Sequence, residues 1–152
     1  MPSGRIWLLS GALLTSAVTA LHVAIIVGGP GWYRFFGAGE RMAQLAERGS
    51  GVPVVVTAGI AGCLAIAALY AFSGAGLMPQ LPLLRPALVL IAVVYLMRGV
   101  CGIPVVLLAR GPYAAELRAR MPFMITTSLV SCAIGVCYAA GVARLRIAAP
   151  SP

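Results

Sequence analysis

The stretch VVYLMRGVCGIPVV, Val93 to Val106, places an arginine inside an apolar run. A guanidinium in such a setting binds carboxylate or phosphate through a planar fork of donors, and an ionisable group in a membrane segment usually faces a bundle interior or a water-filled cavity. Tyr95 lies one helical turn before Arg98 and on the same face. Gly99 and Gly102 permit close approach of a second helix, and Pro104 removes a backbone hydrogen bond, freeing the carbonyl of Val100 and predicting a kink. In the first apolar run, Thr15, Thr19 and His22 fall along one helical face. In the last, Thr127, Ser131, Gly135 and Tyr138 form a stripe with Thr126 and Ser128 beside it. Such hydroxyl-bearing stripes read as helix-packing surfaces before they read as ligand contacts.

The remaining chemistry is sparse. The chain has no Asp, no Lys, one His and three carboxylates, Glu40, Glu47 and Glu116. An intramembrane aspartyl protease is excluded, and one histidine provides neither a bis-histidine haem site nor a multi-histidine zinc site within one chain. Cys63, Cys101, Cys132 and Cys137 form no C-x-x-C pair for disulfide exchange and read as small hydrophobes. Ser73 in FSGAG lacks a glycine two places before it and a histidine to activate it. No catalytic residue, metal ligand set or cofactor is therefore assigned.

The elements that must position these residues follow from composition. With 61% hydrophobic and 9% charged residues among 152, the chain has too little polar surface for a soluble globule. Four continuous apolar runs, about residues 6–27, 52–72, 86–109 and 123–142, each approach the roughly 20 residues that cross a ~30 Å hydrocarbon core. The expected fold is all-α, one polytopic domain of four transmembrane helices with a short basic tail over 143–152. Arg5, an apolar stretch and Val18-Thr19-Ala20 resemble a cleavable signal, but the run continues through Val27 and is read as an uncleaved span.

Loop one, Gly28 to Gly51, contains GGPGWYRFFGAGERMAQLAERGSG. A piece from Glu40 to Arg48 is predicted as a short interfacial helix, with Met42, Leu45 and Ala46 on one side and Trp32 and Tyr33 as headgroup-level anchors. A solvated connector is the alternative. Loop two is rich in Gly and Pro, and loop three is short, with Glu116 and Arg120 spaced as a surface ion pair. Arginines divide between the two membrane sides, so sidedness stays open. The net charge of +8 fits arginines flanking a membrane and attracted to anionic lipid; no basic stripe interleaved with aromatics points to nucleic acid.

Because loop one and the end of the third run share a membrane side, Glu40 is the expected counter-ion of Arg98. The candidate ligand-binding set is then His22, Glu40, Tyr95 and Arg98, in a polar pocket opening toward loops one and three.

The pieces LHVAIIVGGPGWYRFFGAGE, LYAFSGAG, LPLLR and YLMRG resemble small bacterial four-helix inner-membrane proteins of the DoxX-like group. The resemblance covers about the first two-thirds of the chain, is architectural and brings no catalytic motif. It implies a multi-pass protein of the bacterial cytoplasmic membrane with an accessory role. Two functions are expected as alternatives: a binding or accessory subunit whose pocket holds an anionic small molecule or lipid headgroup, and an oligomeric transporter or channel using the same residues. A membrane enzyme is a third reading with a thin inventory. Membrane lipids and a homo-oligomer or larger membrane complex are the expected partners.

Overall fold

A computed structural model describes residues 2–145; of the expected basic tail over 143–152, Ala143 ends α7 and Arg144 caps it, while residues 146–152 lie outside the described residues. Seven helices and no strand occur among them: α1 (Pro2–Gly28), α2 (Pro30–Phe35), α3 (Glu40–Glu47), α4 (Val52–Gly74), α5 (Leu84–Leu108), α6 (Pro112–Ala119) and α7 (Met121–Ala143). Four of them, α1, α4, α5 and α7, are long and apolar enough to cross a membrane. They are also apolar nearly all round, as the absence of a solvent face demands.

Around the bundle the order is α4, α1, α7, α5, with α1 packed on both α4 and α7, and α7 on α5. Helix α4 meets α5 only sparsely, where loop two joins them and Leu88 reaches Gly74. The closest seam is α5 against α7. A Cβ on Gly99 would stand 2.4 Å from Cys132 Sγ and 2.9 Å from the Ser128 carbonyl oxygen, and one on Gly135 would stand 2.7 Å from Leu96 Cγ. Glycine there lets two backbones approach, the usual means of helix association in lipid.

Leu8, Ala71, Leu84, Leu88, Ile134 and Val142 form an apolar core in the half nearer loop two. Toward loops one and three Thr57, Ser128 and Ser131 are buried beside Ile25, Val106 and Met124, with Thr15 near the middle. Helix α5 continues through Pro104 to Leu108 as one element, although proline leaves the Val100 carbonyl without its helical donor.

The ends of loops one and three form a folded cap. Loop one contains α2 as well as the expected interfacial helix, and loop three contains α6, which the reading of a short connector missed. Ile25, Tyr33 and Ala43 bury together, pinning α2 and α3 to the end of α1. Gly37 (φ 75°) and Gly39 (φ 93°) turn the chain between α2 and α3. Both are also crowded: an added Cβ would meet the Phe123 ring and the Tyr113 ring respectively at 2.9 Å. Any other residue would be strained and obstructed at either place.

Candidate functional site

Arg98 is the fifteenth of the twenty-five residues of α5, two past its centre. It is exposed, whereas its neighbour Gly99 is buried against α7. Tyr95, Leu96 and Gly99 face α7, and Arg98 stands at the exposed edge of that contact. Its side chain runs toward Gly102, one turn nearer loop three: a Cβ on Gly102 would lie 4.0 Å from Arg98 Nη1 and 3.2 Å from Ser128 Oγ. Ser128 is buried, and its Oγ has no hydrogen-bond partner among the described residues. Arg98 itself forms no ion pair with any carboxylate among those residues.

One turn before Arg98, the Tyr95 ring stacks on Tyr138, centroids 6.0 Å apart. Tyr138 is fully buried; its hydroxyl donates to the Ala67 carbonyl at 3.0 Å and shares a 3.2 Å hydrogen bond with Thr15 Oγ1, joining α7 to α4 and α1. The Tyr95 hydroxyl is buried with no partner. Thr19 Oγ1 donates to the Thr15 carbonyl at 2.9 Å. His22, half-buried two turns beyond Thr15 on the same face of α1, donates from Nδ1 to the Val18 carbonyl at 2.8 Å.

Glu40 lies elsewhere. Its two oxygens accept from Arg34 Nη2 and Nε, both at 2.8 Å, while Arg34 Nη1 donates to Glu47 at 2.7 Å. Arg34, six residues away in sequence, is therefore the partner of Glu40, in place of the expected Arg98. The hydrogen bonds from Arg34 hold the Glu40 and Glu47 carboxyls below the usual carboxylate range and raise the guanidinium further above its own. Glu116 does not pair with Arg120 either. Its Oε2 accepts from the Glu40 backbone N–H at 3.0 Å, capping α3 from across the loops, and Arg120 donates to the Arg34 and Phe35 carbonyls. Arg118 donates to the Ala109 carbonyl at 2.8 Å, at the end of α5. An open cleft of about 370 Å³ lies among Arg34, Glu40, Tyr113, Glu116 and Arg120.

Of the four residues nominated from sequence, Tyr95 and Arg98 stand on successive turns of α5. His22 lies in the same half of the bundle on α1, and Glu40 belongs to the cap. Ser128 and Tyr138, read first as packing, lie close around Arg98 and Tyr95. Ser73 organises loop two, its Oγ donating to the Pro79 carbonyl at 2.9 Å and accepting from the Leu81 N–H at 3.0 Å. All four cysteines are free. Among the described residues no three His, Cys, Asp or Glu side chains converge as a metal site.

No family model matches the chain, and no curated protein or solved structure matches it either. Its class rests on its own four apolar helices: it is an α-helical, multi-pass membrane protein.

Proposed function

We propose that the chain is an accessory or binding protein of the bacterial cytoplasmic membrane, allied in layout to the DoxX-like group, that holds an anionic small molecule or lipid headgroup at Arg98. One observation supports this most: all three glutamates of the chain lie in the cap, engaged by Arg34 or by a backbone N–H, and none faces Arg98. An arginine at the centre of a spanning helix costs roughly 2.5–3.5 kcal/mol on insertion scales. With no internal carboxylate to offset that cost, an anion from outside the chain is the natural partner, and the guanidinium fork suits carboxylate or phosphate. Tyr95, one turn before Arg98, supplies a buried hydroxyl without a partner, and His22 lies on α1 toward loop one.

Native mass spectrometry of gently extracted protein tests the reading. The parent chain should retain an anionic adduct that Arg98→Met loses and Arg98→Lys only partly keeps. The Met variant should stay folded, since exchanging an unpaired charge for an apolar side chain removes a penalty. A parent chain free of any adduct would overturn the proposal. So would an Arg98→Met chain that unfolds and is restored by Glu40→Gln. A closed ring of copies with Arg98 lining a shared path would replace it with the channel reading.

A further inference from the structure

We infer that the surface of α5 at Gly102 is the seat of a phosphate-type oxyanion, gripped between the Arg98 guanidinium and the Ser128 hydroxyl. The inference rests on the role proposed for Arg98 and adds the place and the second donor. Three observations converge on it. Arg98 Nη1 and Ser128 Oγ both approach the point that a side chain on Gly102 would fill, at 4.0 and 3.2 Å. Ser128 is only 4% exposed, yet its Oγ lacks a partner, and an orphaned buried hydroxyl carries a free-energy penalty that an arriving acceptor removes. Glycine at 102 leaves the seat empty of side-chain atoms.

The donors select the ligand chemistry. A phosphodiester has two non-bridging oxygens, so one can accept from the guanidinium and the other from the Ser128 O–H, with no proton transferred. Depth favours a headgroup tethered to acyl chains. Gly102 lies six residues before the end of α5 at Leu108, roughly 9 Å along the axis, and Arg98 beside it is exposed on the bundle's outer flank. The arginine side chain extends toward that helix end, the direction from which a headgroup would be drawn in.

The test uses the full chain in a neutral detergent, titrated in separate arms with short-chain phosphatidylglycerol and with inorganic phosphate, occupancy being read by native mass spectrometry. Gly102→Ala fills the seat while keeping Arg98, and Ser128→Ala removes the second donor without adding volume. Each should weaken binding of phosphatidylglycerol by roughly tenfold, the scale of one charge-assisted hydrogen bond, with thermal unfolding little changed. The same losses seen with inorganic phosphate alone would support the seat with a soluble ligand. Undiminished affinity in both variants, with Arg98→Met still weakened, would overturn the seat and leave the role of Arg98 standing. Undiminished affinity in Arg98→Met as well would overturn both. If Gly102→Ala does not fold, Ser128→Ala decides.

Discussion

In the cap over loops one and three, each glutamate has a donor: Glu40 and Glu47 share Arg34, and Glu116 takes a backbone N–H. In the spans below, α5 and α7 are held by backbones meeting at Gly99 and Gly135, and the hydrogen bonds that cross between helices gather at Tyr138. Water explains the difference. At the surface, charged groups remain partly hydrated, so a network of ion pairs positions short helices with no large desolvation cost. In lipid there is no hydrophobic force between apolar helices, so shape complementarity must do that work and a charge needs a specific reason to be present. Arg98 breaks the pattern of its own region, which is why a ligand is proposed for it.

The α5–α7 seam is where substitution should cost most. Gly99→Leu puts carbon 2.4 Å from Cys132 Sγ and 2.9 Å from backbone atoms of α7, so the helices must separate. Overpacking of this kind costs about 1–3 kcal/mol or more, and a clear fall in the thermal midpoint in detergent is expected. Gly59→Leu on α4, where nothing lies within 4 Å, is the control and should leave the midpoint nearly unchanged. Equal effects would mean that close approach does not hold the spans.

A smaller effect is expected at Tyr138. Tyr138→Phe keeps the ring that stacks on Tyr95 and removes only the hydroxyl shared by Ala67 and Thr15. Hydrogen bonds between membrane helices are worth about 0.6 kcal/mol each on average, so losing these two should cost about 1 kcal/mol, at the low end of the range for a seam clash. A double-mutant cycle with Thr15→Val measures the shared part. A coupling of zero would show that the Thr15 bond adds nothing, and one well above 1 kcal/mol would make this network as important as packing.

Sequence made the spans legible because membrane thickness sets their length directly. The run read as 52–72 is Val52–Gly74, and 123–142 is Met121–Ala143. The piece Glu40 to Arg48 emerged as Glu40–Glu47 for a similarly local reason, its periodicity between glycines. Helix α6 was missed although Gly111 and Pro112 mark its start, because a short connector needs no helix to join two spans. The partner of Glu40 was misassigned because pairing depends on where chains turn. Topology puts Arg98 in the half of α5 nearer loop one, but the turns at Gly37 and Gly39 fold α3 back onto α2 and bring Arg34 nearer. Whether Arg98 faces neighbour or lipid was also hidden, since apolar residues surround α5 and only contact with α7 shows which flank is covered.

The smallest expected effect belongs to the cap and has a definite sign with pH. Hydrogen bonds from Arg34 depress the carboxyl pKa values of Glu40 and Glu47 in the folded cap. Groups of this kind contribute stability that is fully present above the ordinary glutamate value of about 4.3 and is lost as pH falls through the depressed values. Because all three side chains are substantially exposed, solvent and salt screen the pairs and the spans should not notice their loss. Hydrogen exchange, corrected for intrinsic rates, should therefore show the amides of α3 losing protection as the pH falls below the ordinary glutamate value of about 4.3, while α5 and α7 keep theirs. Arg34→Gln should loosen α3 at neutral pH and remove most of its further loss on acidification. If Arg34→Gln leaves the protection of α3 and its pH profile unchanged, the cap is held by the burial of Tyr33 and Ala43 rather than by charge, and the contrast with the spans disappears.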